Sequence, residues 1–343
     1  MLFSWYSSGT HPIQTVSLGF LAYNTVAFGL QPVIGYLCDT YRKIPAGMIG
    51  GMLLIVGLLF LPYPAVSILL MGLGNACFHI EGGIDSLRHS GGKMARSGIF
   101  VSSGALGVAF GGLAGKSGAI SAYHAVGILL LCLVLIYVFC RKHAEPEDTI
   151  AEDTKSGHTK PEEIKPAFSI IKPGLSFGIV ILLAAVSIII RSYAGAILPM
   201  DWRTTPTLFV FPAIGAFLGK ASGGLLADRI GARKLAVSSL LVALFLLTFG
   251  YTDPWVCLTG ILFFNMSMAV TLCAIASVLP LNPGLSFGIT TLALLCGNVP
   301  TFFVETSPAP PIFAALTAIS MVCLGYILKG KVKNNEQNNA KNQ

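Results

Sequence analysis

Apolar residues run through this sequence in long unbroken stretches, and polar residues fill the short gaps between them. The stretches fall at roughly 13–37, 44–61, 65–83, 97–116, 122–140, 173–198, 206–227, 234–250, 254–279, 284–304 and 309–328. A helix needs about 20 apolar residues to cross a bilayer. The stretches are continuous, which excludes the alternating pattern of a membrane barrel strand. Backbone inside lipid must satisfy its own hydrogen bonds, so the pattern predicts about eleven transmembrane helices. The expected fold class is an all-α membrane protein.

Two segments break the pattern. Residues 141–170 include RKHAEPEDTIAEDTKSGHTKPEEIKP, which has no apolar period and holds seven of the fifteen acidic residues. It reads as a solvated linker. Residues 329–343 form a low-complexity polar tail. The chain then divides into a helical bundle over 1–140, the linker, and a six-helix bundle over 171–328.

Composition sharpens this picture. Charged residues make up only 11% of the chain and hydrophobic residues 54%. Soluble domains carry about 25% charged residues, so this chain cannot cover a surface facing water. The net charge of +7 does not mark a nucleic-acid binder, because the cations lie in loops rather than on one face. With the linker placed in the cytoplasm, 18 of the 22 Lys and Arg fall on that side. The C-terminus is then inside and the N-terminus outside. The four remaining cations are Lys116, Arg191, Arg203 and Lys220. The eight cysteines form no C-x-x-C and read as small buried hydrophobes. No cleavable signal peptide is visible. Gly107, Gly111 and Gly115 recur every four residues, and are expected to pack their helix tightly against a neighbour.

The chain also repeats itself. GYLCDTYRK, from Gly35 to Lys43, is answered by GGLLADRIGARK, from Gly223 to Lys234. Gly35 aligns with Gly224, Leu37 with Leu226 and Asp39 with Asp228, each pair 189 residues apart. Both copies end an apolar run and open a basic loop. Glycine lets another helix approach, and the Asp at the membrane edge can meet a basic group or a helix N-terminus. One copy alone would read as a simple topology signal.

These paired loops resemble the motif of the major facilitator superfamily, a G-x-L-x-D-R-x-G-R-[RK]-like sequence repeated between helices two and three and between helices eight and nine. Gly224, Leu226, Asp228, Arg229, Gly231, Arg233 and Lys234 match closely, with one extra residue before Arg233. Gly35, Leu37, Asp39, Arg42 and Lys43 match in a first copy two residues shorter, which lacks the Arg after Asp and the second Gly. The resemblance covers nearly the whole chain and implies a two-bundle carrier working as a monomer. It also implies that the motif latches the cytoplasmic side when the carrier faces outward, with Asp39 in the contracted copy the weaker latch. Family members usually have twelve helices. The repeat offset puts the counterpart of the run at 173–198 mostly before Met1, so residues 1–10 are expected to be the outer end of a truncated first helix. A natural short form is the alternative. GLGNACFHIEGG, from Gly72 to Gly83, resembles the fosmidomycin-resistance-like branch, with Ile80 in place of its Pro. The glycines around Gly111 and Gly112 resemble the glycine motif of antiporters in helix five, again without its Pro. Both resemblances imply efflux by exchange.

Ionisable groups at membrane depth are functional candidates. Lys220 lies eight residues before Asp228 on the same helical stripe, and its repeat counterpart is Gln31. Lys220 either faces an anionic substrate or is a packing lysine. Arg191 interrupts an apolar run and either binds a carboxylate or phosphate or snorkels outward. Asn75 and His79 share a face, and Glu81 follows. His79 and Glu81 can carry a proton or form a wet structural rim. Asn24, Asn265 and Asn298 are mid-span amides that bind substrate or bond between helices. There is no Walker-A sequence, no H-E-x-x-H and no G-x-S-x-G, so no enzyme and no cofactor are expected. The function expected is secondary transport of a small, anionic solute across the inner membrane by alternating access, as proton-coupled efflux. The alternatives are a non-transporting truncated protein and an enzyme acting on lipid.

Overall fold

A computed structural model describes residues 13–141, 168–303 and 310–330. The expected truncated first helix (1–10), most of the linker and most of the tail lie outside the described residues. Every apolar run becomes helix. In chain order these are α1 (Ile13–Gly29), α2 (Gln31–Thr40), α3 (Ala46–Leu59), α4 (Pro64–Arg88), α5 (Ala95–Ser117), α6 (Ala122–Arg141) and α7 (Phe177–Ile197). There follow α8 (Pro206–Ile230), α9 (Ala232–Phe249), α10 (Pro254–Asn265), α11 (Ser267–Val278), α12 (Pro283–Asn298) and α13 (Pro310–Ile327). Among the described residues, ten spans are long and apolar enough to cross a membrane, and α3 is a shorter apolar helix. The protein is a multi-pass, all-α membrane protein.

Local chemistry sets the helix ends. Proline opens α4, α8, α10 and α12, where its missing N–H costs nothing. Ser176, Thr205 and Asp253 cap α7, α8 and α10 through their side-chain oxygens. Gly231 separates α8 from α9 at φ +97°, a conformation that an L side chain rarely adopts. Two spans are broken within the membrane. Pro32 accompanies the break between α1 and α2, since it lacks the amide that Phe28 would receive. The span Pro254–Val278 breaks at Met266, between α10 and α11. The side chains left outside the cores are largely apolar, among them Val108, Phe139, Phe249 and Val322. That is the surface a lipid solvent selects. The seven cysteines described are all free thiols, four of them buried.

The chain forms two compact units that interleave its sequence. One contains residues 1–89, 107–167 and 279–304, so α12 packs with α1, α2 and α4. The other contains residues 90–106, 168–278 and 305–343, so the start of α5 belongs with α7 to α11 and α13. In this second unit, Lys172 N–H donates to Ile327 C=O and Lys329 N–H to Ile170 C=O, pinning 168–172 to the end of α13. Phe168, at the start of this segment, is buried.

The glycines of α5 do not behave as their spacing suggests. Gly107 is exposed, and a Cβ there would meet nothing within 4 Å. Gly115 is buried. Four-residue spacing sets a stripe but does not say whether protein covers it.

Candidate functional site

The two copies of the repeat build the same contact. In the first unit, α2 crosses the start of α12. A Cβ on Gly284 would stand 2.5 Å from the Gly35 carbonyl oxygen, so backbone lies on backbone. One turn further, the Asp39 carboxylate accepts from Gly284 N–H at 3.0 Å and Leu285 N–H at 2.9 Å. These are first-turn amides of α12, without a partner inside their helix. Asp39 is buried.

In the second unit, α8 crosses the start of α5. A Cβ on Gly224 would stand 2.6 Å from the Met94 carbonyl oxygen. The Asp228 carboxylate accepts from Met94 N–H at 2.8 Å and Ala95 N–H at 3.0 Å. Each carboxylate thus meets a helix N-terminus, where two charge-assisted bonds add to the favourable dipole. Sequence left open whether the partner was a basic group or a helix end; the structure answers helix end in both copies. The contracted first copy makes the full contact, so the expectation that it would be weaker has no geometric basis. Arg42, Lys43, Arg229, Arg233 and Lys234 are exposed or half-buried around these crossings, and Gly231 supplies the turn between α8 and α9.

Gln31 and Lys220, the repeat counterparts, lie one turn above the glycines. Gln31 is fully buried; its Nε2 donates to Ala27 C=O at 2.7 Å, and its Oε1 has no partner in the structure. Lys220 is half-buried, and a Cβ on Gly98 would stand 2.7 Å from its carbonyl oxygen. Its backbone therefore packs against α5. Among the described residues its ammonium makes no hydrogen bond or ion pair.

Arg191 does not snorkel. It is 5% exposed and donates to Ser267 Oγ at 2.9 Å, Met268 Sδ at 3.2 Å and Thr271 Oγ1 at 3.2 Å. All three acceptors sit at the start of α11. Ser187, one turn before Arg191 on α7, shares a 2.5 Å hydrogen bond with Ser320 of α13. Ser267 and Thr271 were not singled out from sequence, since hydroxyls on an apolar helix carry no signal without their partner.

The mid-span amides of Asn24 and Asn265 bond within their own helices, to Phe20 C=O at 2.8 Å and Ile261 C=O at 2.9 Å. Asn75 and His79 are half-buried on α4. Glu81, two residues on, accepts from Gly47 N–H in the first turn of α3. Like Asp39 and Asp228, it is a carboxylate spent on the N-terminus of another helix. Beside it, a recess of about 260 Å³ is lined by Cys38, Arg42, Lys43, Asp85 and Arg88. The larger groove of about 510 Å³ between α1 and α4 is lined almost wholly by apolar residues.

Paired repeats, each with a carboxylate clasping a helix end, and cations set within apolar helices describe a polytopic membrane protein with internal symmetry. The chain belongs to the Major Facilitator Superfamily, whose family profile matches residues 1–303. It is a secondary transporter and not an enzyme. No curated protein matches the sequence. Among solved structures, it is similar to the human organic anion transporter MFSD10 (TETRAN), at 17% identity and TM-score 0.61, over 94% of this chain and 87% of that one. It is also similar to the major facilitator transporter FucP in the outward conformation, at 13% identity and TM-score 0.59, over 94% and 95% of the two chains. It is similar as well to a second structure of FucP, the E. coli fucose:proton symporter, at 12% identity and TM-score 0.61, over 94% and 92% of the two chains.

Proposed function

We propose that this transporter moves a small organic solute of negative charge across the inner membrane by alternating access, in proton-coupled efflux. The observation that carries alternating access is the pair of Asp crossings. Asp39 and Asp228 each clasp a helix drawn from the other half of the sequence. Such a contact shifts a two-state equilibrium only if it is made in one state and broken in the other. The moving bodies are then the bundles over 1–140 and 171–328, with the 141–170 linker and the C-terminus cytoplasmic. The negative charge of the solute is supported by Arg191 and Lys220, buried or half-buried cations without a carboxylate partner among the described residues. Of the similar structures, the organic anion transporter accords with the solute's charge, and the fucose:proton symporter with proton coupling alone. His79 is the proton carrier this reading favours, because Glu81 is engaged as a helix cap.

The test is flux into proteoliposomes under imposed pH gradients, with organic anions and neutral analogues as solutes. An introduced cysteine at Ser156 reports the side on which the linker lies. Anion flux that responds to the pH gradient and is lost in His79→Gln supports the reading. Flux of neutral analogues alone, or flux indifferent to pH, overturns the solute or the coupling respectively.

A further inference from the structure

The second unit sets two cations, Arg191 and Lys220, within its apolar helices, and no described carboxylate pairs with either. Arg191 spends its two Nη atoms on three neutral acceptors, so its hydrogen bonds are met but its charge is not. Those acceptors stand at the start of α11, where the helix adds its own partial positive charge. Lys220 stands close by. The glycines on either side of it lie on the break in the Pro254–Val278 span: a Cβ on Gly219 would be 3.0 Å from the Asn265 Cβ, and one on Gly223 would be 2.6 Å from the Met266 Cα. Arg191 donates to Ser267, the residue after Met266, so both cations stand at this break. Three carboxylates are described in this unit, and none serves these cations. Asp228 caps α5, Asp253 caps α10, and Asp201 is exposed beyond the end of α7. Two like charges in one low-dielectric region call for an anion. Broken helices in membranes are where such ligands bind.

We propose that Lys220 is the group that contacts the anionic head of the solute, and that Arg191 is a positioning residue that does not touch it. Arg191 fixes the first turn of α11 against α7 and supplies a second positive charge beside the site. The site therefore accepts a dianion better than a monoanion of the same shape. This rests on the reading of the chain as a solute carrier given above. It divides between two residues what either could have done alone.

The experiment grades charge on one ring: benzamide is neutral, benzoate carries one negative charge and phthalate two. Equilibrium dialysis measures their affinity for the full chain in phosphatidylcholine nanodiscs. Wild type binds phthalate best and benzamide worst. Lys220→Gln weakens both anions by about tenfold or more and leaves benzamide unchanged. Arg191→Gln still binds benzoate but loses the preference for phthalate, and Arg191→Lys restores that preference. A merely structural Arg191 would weaken all three probes alike. Lys220→Gln and Lys220→Arg carry the test alone if Arg191→Gln does not assemble. Unchanged benzoate affinity in Lys220→Gln, a preserved phthalate preference in Arg191→Gln, or no anion preference in wild type overturns the proposal. Adding phosphatidylglycerol to the nanodiscs tests the other source of an anionic head. Displacement of benzoate from wild type by that lipid would make this a lipid site and overturn the solute assignment. Charge-graded binding without flux in proteoliposomes defeats the transport reading alone; flux without charge-graded binding defeats this inference alone.

Discussion

The crossing of α2 on α12 and the crossing of α8 on α5 are the same device built from different loops. Both have glycine against backbone, and both have a carboxylate on two helix-start amides one turn later. The loops that follow differ in length. Only the second copy has the Asp-Arg pair and a glycine at positive φ. The common parts make the contact, and the variable parts only return the chain to the next helix. A motif scored by its loop therefore undervalues the first copy, whereas its geometry does not.

The largest expected effect comes from filling the glycines. A side chain at Gly35 or Gly224 meets backbone, which cannot rotate away. Gly35→Val and Gly224→Val should each destabilise by about 3 kcal/mol or more, at the upper end of overpacking costs. Gly107→Ala, in open space, should leave the melting temperature unchanged or slightly raised. Thermal unfolding of the purified variants in detergent checks this. If Gly35→Val melts like wild type while Gly224→Val does not, the two crossings are not equivalent.

A smaller effect is expected from the carboxylates. Asn keeps one acceptor oxygen and turns an amide N–H toward the second helix-start donor, so each Asp→Asn change loses one charge-assisted bond and the charge itself. The cost is about 1 to 2 kcal/mol, enough to move a conformational population about tenfold. Asp39→Asn and Asp228→Asn should act alike. Spin labels on Arg42 and Leu281 report the first crossing, and labels on Lys93 and Ile230 the second. Longer label distances in the matching variant are the expected result. A silent Asp39→Asn beside an active Asp228→Asn would restore the ranking that loop sequence suggests.

Why one copy looked weaker from sequence is a matter of what sequence encodes. Apolar run length fixed nearly every helix, because lipid leaves the backbone no alternative. The repeat located Gly35, Asp39, Gly224 and Asp228, because a twofold pattern survives changes in the loop. Their partners were not legible. Gly284, Leu285, Met94 and Ala95 contribute backbone amides, which any residue but proline supplies. The same holds for the three acceptors of Arg191. Sequence marked the cation, but only folding brings Ser267, Met268 and Thr271 to it. Glycine spacing erred at Gly107 for a related reason: periodicity says which residues share a face and is silent on what covers it.

The smallest expected effect separates the crossings from a third carboxylate of the same kind. Glu81 also accepts from a first-turn amide, that of Gly47, but the helix it caps, α3, follows α2 directly in sequence. Its contact joins neighbours within one bundle of the repeat, whereas Asp39 and Asp228 reach across the repeat. A cap within one bundle does not change when the bundles reorient, so it gives stability and no switching. Glu81→Gln retains an acceptor for the single amide and should cost about 0.5 to 1 kcal/mol. It should leave the spin-label distances at both crossings unchanged, and the pH dependence of flux as well. Measured beside Asp39→Asn in the same preparations, it shows whether a helix-capping carboxylate shifts conformation by virtue of its chemistry or of what it bridges. A Glu81→Gln protein with normal melting but no pH-dependent flux would instead make Glu81 a proton carrier, and the likeness to the crossings incidental.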